Sequence, residues 1–330
     1  MASLRLTLAC WNYDRTRGLA DGSIRPDGLE LVYLPLSVEE TFFRMMRHRE
    51  FDCAEMSLSS YVASLGEERP PFVAIPAFPS RAFRHNCIFV SAASGITRPE
   101  ELIGKRCGVP EWQLTAPVWT RGILADEYKV PVASMEYLTG GVEEPGRVEK
   151  RRLDLPSDIH LGAIDPTKTL SRMLADGEID AMQSPRTPST LYTQPGKVRR
   201  LFENYVEVER EYYRRTRIFP IMHTVVIRRD LYEKRPWIAQ SLYKAFLAAQ
   251  RQTYEGFAQT AASMTMLPWL SAHVEEARRE MGEDWWPYGL QPNGHVLETF
   301  LRYHHEQGLS KRRFTPEELF APETLESFKV

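Results

Sequence analysis

Two histidines stand where a proton could be moved. His223 lies within the apolar run IFPIMHTVV, and His85 lies in PSRAFRHN just ahead of the apolar CIFV. Imidazole exchanges a proton near neutral pH, although one in an apolar strand also serves as a hydrogen-bonded core residue. Arg81 and Arg84 precede His85, and Arg186 follows IDAM in SPRTPS. A guanidinium matches a carboxylate bidentately, so these three are candidate clamps for an acidic ligand. A third feature is GVPEWQLTAPVWTRGIL, residues 108–124. Thr115 fits a helix N-cap there, with Pro117 in the first turn, and such a start attracts carboxylates and phosphates. Glu111 and Trp112, just before it, read as an acid and an indole on a pocket wall. Ser57, after FDCAEM, marks a second helix start. Trp11, Asn12 and Tyr13 follow the first apolar run, the rings suited to stacking on a ligand ring and the amide to binding an oxygen.

The elements that must hold these residues are legible from the pattern. LRLTLACW and LELVYLPL read as strands, and Ser37 with Glu40 forms a capping box ahead of FFRMM. FDCAEM, PFVAIPAF and CIFVSA are further strands, too continuously apolar to be one-sided. A second unit starts near ITRPEELIGKRCGVP, continues through a helix at 117–128, and reaches DPTKTLSRMLADGEIDAM. Thr167 is the expected cap of a helix there, Gly177 its end and IDAM the next strand. IFPIMHTVVIRRD is a late apolar strand. RPWIAQSLYKAFLAAQRQTYEGF is a long helix with Trp237, Ser241, Leu242, Ala245, Phe246 and Ala249 on one face.

Composition narrows the partners. With 330 residues, 43% hydrophobic and 26% charged, the chain is an ordinary globular one of two lobes. A net charge of −2 leaves no basic footprint for nucleic acid, and the runs RVEKRRLD (147–154) and VEREYYRRTR read as solvated faces. The four cysteines, Cys10, Cys53, Cys87 and Cys107, show no CxxC spacing, which suits a reducing compartment. LTLAC resembles a lipobox, but the stretch before Cys10 is too short for a charged n-region plus a signal peptide's apolar h-region of ~7–15 residues. No run approaches the ~20 apolar residues of a membrane span. A cytoplasmic location is expected. His304 and His305 point apart on a helix, and no metal-ligand cluster is visible.

FPSRAFRHNCIFV, GVPEWQLTAPVWTRGIL, GEIDAM with PRTPS, FPIMHTVVIRRD, PWIAQSLYKAF and the late WPYG resemble, in order along nearly the whole chain, the 4,5-dihydroxyphthalate decarboxylase family. The resemblance implies an α/β, two-lobed, type II periplasmic-binding-protein-like fold. Mixed sheets flanked by helices would form lobe one from 1–90 and 217–330 and lobe two from 91–216, with a ligand cleft between them. It implies a carbon–carbon lyase that acts without oxidation on a small aromatic dicarboxylate, needs no cofactor or metal, and works as a homo-oligomer. Under that topology His85 and His223 stand at the two hinge crossings.

The implied reaction dictates what the site must contain. Loss of CO2 by itself would leave an aryl carbanion, which is prohibitively basic. An ionised hydroxyl para to the leaving carboxylate instead pushes electron density onto the ring carbon, which is protonated before CO2 departs. His223, His85 and Glu111 are the candidate proton handlers. Arg81, Arg84, Arg186, Thr115, Ser57, Trp11, Asn12, Tyr13 and Trp112 are the candidate substrate contacts. A solute-binding or sensory module for an aromatic dicarboxylate would need the same clamps and no proton donor.

Overall fold

In the computed structural model, which describes residues 3–149 and 153–326, the strands follow the apolar runs. They are β1 (Leu4–Ala9), β2 (Leu29–Leu34), β3 (Cys53–Ser57), β4 (Phe72–Arg81), β5 (Ile88–Ser91) and β6 (Arg106–Val109). The remaining strands are β7 (Glu136–Thr139), β8 (His160–Ala163), β9 (Ala181–Gln183), β10 (Val198–Arg200) and β11 (Ile221–Arg228). Sequence reading misses β7, β8 and β10. Each is short and carries charged or exposed residues, so none has the continuous apolar signal of a core strand.

The chain forms two units. Unit one is Met1–Arg81, Ile221–Glu298 and Phe314–Val330, and unit two is Ala82–Pro220 and Thr299–Arg313. Sequence reading sets the crossings at 90/91 and 216/217 and leaves 299–313 with the tail. The sheet of unit one runs β2-β1-β3-β11-β4. β1 pairs parallel with β2 and β3, whereas β11 is inserted antiparallel between β3 and β4. Unit two has the order β10-β5-β9-β6-β7-β8, in which β9, β6, β7 and β8 are parallel and β5 runs against β9 and β10.

Helix starts follow local chemistry only in part. Ser37 accepts from the Glu40 backbone N–H, and Ser57 accepts from that of Ser60, so both serve as caps. Thr115 does not. The helix begins at Thr115 itself, with extended Leu114 as the cap residue, so Thr115 is the first helical residue. Thr167 likewise bonds Asp165 within a tight turn, and Thr169 occupies the cap position of Leu170–Ala175. The helix Trp237–Ala258 buries Ser241, Leu242, Ala245, Phe246 and Ala249, while Trp237 at its first turn is 45% exposed.

The core of unit two contains a buried cation. Arg121 is 0% exposed, with its guanidinium 3.7 Å from the Trp112 ring centroid. Its Nε donates to Gln307 Oε1 and its Nη2 to the Trp112 carbonyl, both at 2.7 Å. Burial pulls its pKa down to about 10, so it stays charged at neutral pH. Trp112 is therefore a core residue, 0% exposed, with its indole N–H donated to the Gln307 carbonyl at 3.1 Å.

Candidate functional site

Glu55 is the centre of the polar cluster in unit one. It stands mid-strand in β3, whose five residues are all buried, and is itself 0% exposed. One carboxylate oxygen, Oε1, accepts from the Tyr13 hydroxyl at 2.7 Å and lies 2.6 Å from His223 Nδ1. The other, Oε2, accepts from the Trp11 backbone N–H at 3.1 Å and from the Cys10 thiol at 3.6 Å. Burial acts to raise the pKa of this acid. The charge of a protonated His223 and hydrogen bonds from His223, Tyr13 and Trp11 outweigh it, and the carboxyl lies below its ordinary value. Tyr13 and Cys10 go the other way, since burial and the adjacent carboxylate keep phenol and thiol protonated as donors.

An ionised Glu55 assigns the roles on the imidazole. Nδ1 donates to the carboxylate, which turns Nε2 outward as the exchanging atom. Among the described residues Nε2 has no hydrogen-bond partner, and the side chain is 16% exposed. Phe42 packs edge-on against the ring at 4.8 Å and fixes its plane. The sheet produces this pairing: Ala9 is in register with Ala54, and His223 with Ser57, so the ends of β1, β3 and β11 meet. Arg15 lies between the Tyr13 and Trp286 rings, 4.2 Å from each centroid, with Nε donating to the Pro79 carbonyl at 2.6 Å. It thereby stacks on the ring whose hydroxyl donates to Glu55.

The expected site residues of unit one thus divide. His223, Trp11, Tyr13 and Ser57 meet around Glu55, and Trp11 keeps 43% of its surface exposed, with Asn12 exposed beside it. Arg81 is 5% exposed and donates through Nη2 to the Pro287 carbonyl at 2.6 Å and to Asn293 Oδ1, which ties β4 to the turn at 287–293. Sequence reading passed over Glu55. Its signal was an acid flanked by Ala54 and Met56 in a strand with no solvent face, and such a charge requires a partner.

In unit two the placements differ from expectation. Glu111 is 1% exposed, and its Oε1 accepts from Arg147 Nε at 2.8 Å and Nη2 at 2.6 Å, so its carboxylate is neutralised by a cation. Arg147 belongs to the charged run at 147–154, of which 150–152 lie outside the described residues. Arg84 is half-buried, donating to the Cys87 sulfur at 3.4 Å, and Arg186 is exposed after β9. His85 is 1% exposed, boxed by the edges of Tyr128, Phe202 and Tyr212 at 5.1–6.1 Å, and neither ring nitrogen has a partner among the described residues. Burial, with Arg215 nearby, pushes its pKa down to about 4. It is therefore neutral at pH 7, not the imidazolium that would act as an acid.

The helix Tyr205–Thr216, expected to be a solvated face, buries Tyr212 and Glu209. Glu209 accepts from the Asn86 backbone N–H at 3.0 Å, and burial lifts its pKa to about 7. The two groups act oppositely on stability. Glu209 holds its proton more tightly when folded, so its contribution is full below about pH 4.5 and is lost as pH rises through 7. His85 holds its proton less tightly when folded, so its contribution is full above 6.5 and is lost as pH falls towards 4. Glu209→Gln, which keeps the acceptor for Asn86, is expected to stabilise the protein by about 3 kcal/mol at pH 8 and by no more than about 1 kcal/mol at pH 5. Urea denaturation at the two pH values checks this.

The cysteines Cys10, Cys53, Cys87 and Cys107 are all reduced and buried. Among the described residues no helix is long and apolar enough to cross a membrane, and no group of three or more His, Cys, Asp or Glu is disposed to hold a metal ion.

Comparison with known proteins places the chain. No protein-family model matches it. It is 43% identical over 330 residues to a 4,5-dihydroxyphthalate decarboxylase of Comamonas testosteroni, covering 100% of both chains. It is 42% identical over 214 residues to a 4,5-dihydroxyphthalate decarboxylase of Pseudomonas putida, covering 65% of this chain and 83% of the relative. Among solved structures, a periplasmic sulfonate-binding protein of Methylobacillus flagellatus is 15% identical with a TM-score of 0.53, covering 98% of this chain and 93% of that one. That likeness carries the fold, and the two mixed sheets flanked by helices are those of a periplasmic-binding-protein scaffold. Identity across the full length carries the family: the chain belongs to the 4,5-dihydroxyphthalate decarboxylases.

Proposed function

We propose that this protein decarboxylates 4,5-dihydroxyphthalate to 3,4-dihydroxybenzoate and CO2, with His223 as the proton donor to the ring and Glu55 as the residue that positions it. The observation that supports these roles is the buried Glu55–His223 pair, with Nδ1 engaged at 2.6 Å and the opposite ring nitrogen turned outward. The substrate is symmetric, so each carboxylate is para to one hydroxyl and either can leave. Ionisation of that hydroxyl raises electron density at the carbon bearing the carboxylate. His223 Nε2 gives its proton to this carbon, forming the C–H bond. The carbon–carbon bond then breaks, its electron pair restores the aromatic ring, and CO2 departs. The phenolate recovers a proton, so each turnover consumes one proton and requires no oxidant.

Glu55 suits this step because an ionised, buried carboxylate stabilises the imidazolium that must donate. Trp11 and Asn12, exposed beside the pair, are the proposed stacking face and oxygen ligand, and the Ser57 helix start is the proposed carboxylate contact. Arg84, Arg186 and the Thr115 helix start remain proposed contacts on unit two, although Thr115 acts there through the first helical turn and not as a cap. Four reduced cysteines favour action in the cytoplasm, and assembly as a homo-oligomer is part of the same proposal.

The test is incubation of the purified protein with 4,5-dihydroxyphthalate, with and without a chelator, following CO2 and 3,4-dihydroxybenzoate. One CO2 per product, unaffected by chelator, is expected. Tight binding without turnover would reassign the protein as a binding module for an aromatic dicarboxylate.

A further inference from the structure

Gln183 closes β9 with a side-chain amide that no described residue satisfies. The residue is 1% exposed, and neither Oε1 nor Nε2 has a hydrogen-bond partner among the described residues. A buried amide left this way costs about 1–3 kcal/mol per unmade bond.

The strand geometry says where the amide is presented. Gly108 is in register with Met182, which sets Gln183 beside Val109 at the end of β6, and Ile88 of β5 faces it on the other side. Side chains alternate along a strand, so Gln183 shares a face with Ala181, whereas Met182 is on the other. Ala181 packs with Ile88, Val109, Trp112 and Leu124, and Met182 packs in a separate cluster with Leu170 and Ile179. Gln183 is therefore on the face covered by the helix Thr115–Tyr128, at the edge where that helix begins and where Leu114 supplies no side-chain cap. The carboxyl ends of parallel strands are where open α/β sheets take ligands.

The type of side chain selects the ligand group. An amide offers both a donor and an acceptor, whereas a carboxylate offers acceptors only and would leave Oε1 unmatched. A ring hydroxyl matches both functions, and two adjacent hydroxyls match them together. Glu111, just before that helix, accepts from Arg147. We infer that Gln183 is a specificity residue whose amide hydrogen-bonds the ring hydroxyls of the substrate and so distinguishes a dihydroxylated aromatic acid from its unhydroxylated analogue. The inference rests on the decarboxylase reading for the identity of that acid.

Calorimetric affinities for 4,5-dihydroxyphthalate and for phthalate, measured on the unmodified protein and on Gln183→Met, test it. The unmodified protein is expected to bind the dihydroxy acid at least tenfold more tightly than phthalate. Gln183→Met, of similar length and with no hydrogen-bonding amide, should weaken only the dihydroxy acid, by about 10–100-fold. Equal binding of the two acids by the unmodified protein would overturn the inference whether or not the variant folds. So would a variant that keeps the preference, or one that weakens both ligands equally. Preference lost in the variant with no CO2 released by the unmodified protein would uphold Gln183 and sink the decarboxylase reading alone.

Discussion

Replacing His223 with asparagine is expected to lower kcat on 4,5-dihydroxyphthalate by about 10²–10⁴-fold with little change in KM, the usual contribution of a positioned acid or base. The chemistry makes the split diagnostic. Protonation of the ring carbon occurs only on the way to the transition state, so loss of the donor leaves ground-state binding intact. Asparagine keeps a polar group against Glu55 but cannot exchange a proton. Glu55→Gln is expected to act through the histidine, with a smaller fall in kcat and a shifted pH–rate profile, because the amide no longer stabilises the imidazolium. Glu55→Asp should recover part of the rate, since it retains the charge at a longer reach. Steady-state kinetics across pH separates these outcomes. If His223→Asn turns over normally while remaining folded, the proton donor is elsewhere in the molecule.

The second large effect is on stability. Arg121→Ala is expected to cost about 3–5 kcal/mol, because it opens a cavity beneath the Trp112 ring and leaves the Gln307 side-chain oxygen and the Trp112 carbonyl without their buried donor. Arg121→Met fills most of the space and should cost less, so the difference between the two variants measures the cavity and the remaining loss measures the hydrogen bonds. Equilibrium denaturation gives both numbers. A loss below about 1 kcal/mol for Arg121→Ala would mean that desolvating the cation had cancelled nearly all its bonds contribute.

GVPEWQLTAPVWTRGIL illustrates what can be read from local pattern and what cannot. A strand running into a helix was evident from the apolar run and the proline, and both elements are present. The position of the cap was off by one residue, since Thr115 and Leu114 compete for it and backbone dihedrals decide. Local pattern puts Trp112 at a pocket wall, whereas it is in the core, stacked on an arginine nine residues further along. A guanidinium within a helix reads as solvated in one dimension. Its burial depends on Gln307, which comes from a segment 186 residues away.

Fold class, most strands, the serine caps and the family resemblance were determined by the sequence itself, because apolar periodicity, capping and turn chemistry are properties of neighbouring residues. The pairing that makes His223 a proton donor was decided only by the tertiary structure. Glu55 and His223 are 168 residues apart, and they meet because β11 returns to the sheet antiparallel between β3 and β4, in a register that sets His223 opposite Ser57. The same holds for the neutral His85 and the engaged Glu111, whose roles depend on burial and on Arg147. Proton affinity follows from the dielectric and charges surrounding a group in space, and those are set by which distant segments pack against it.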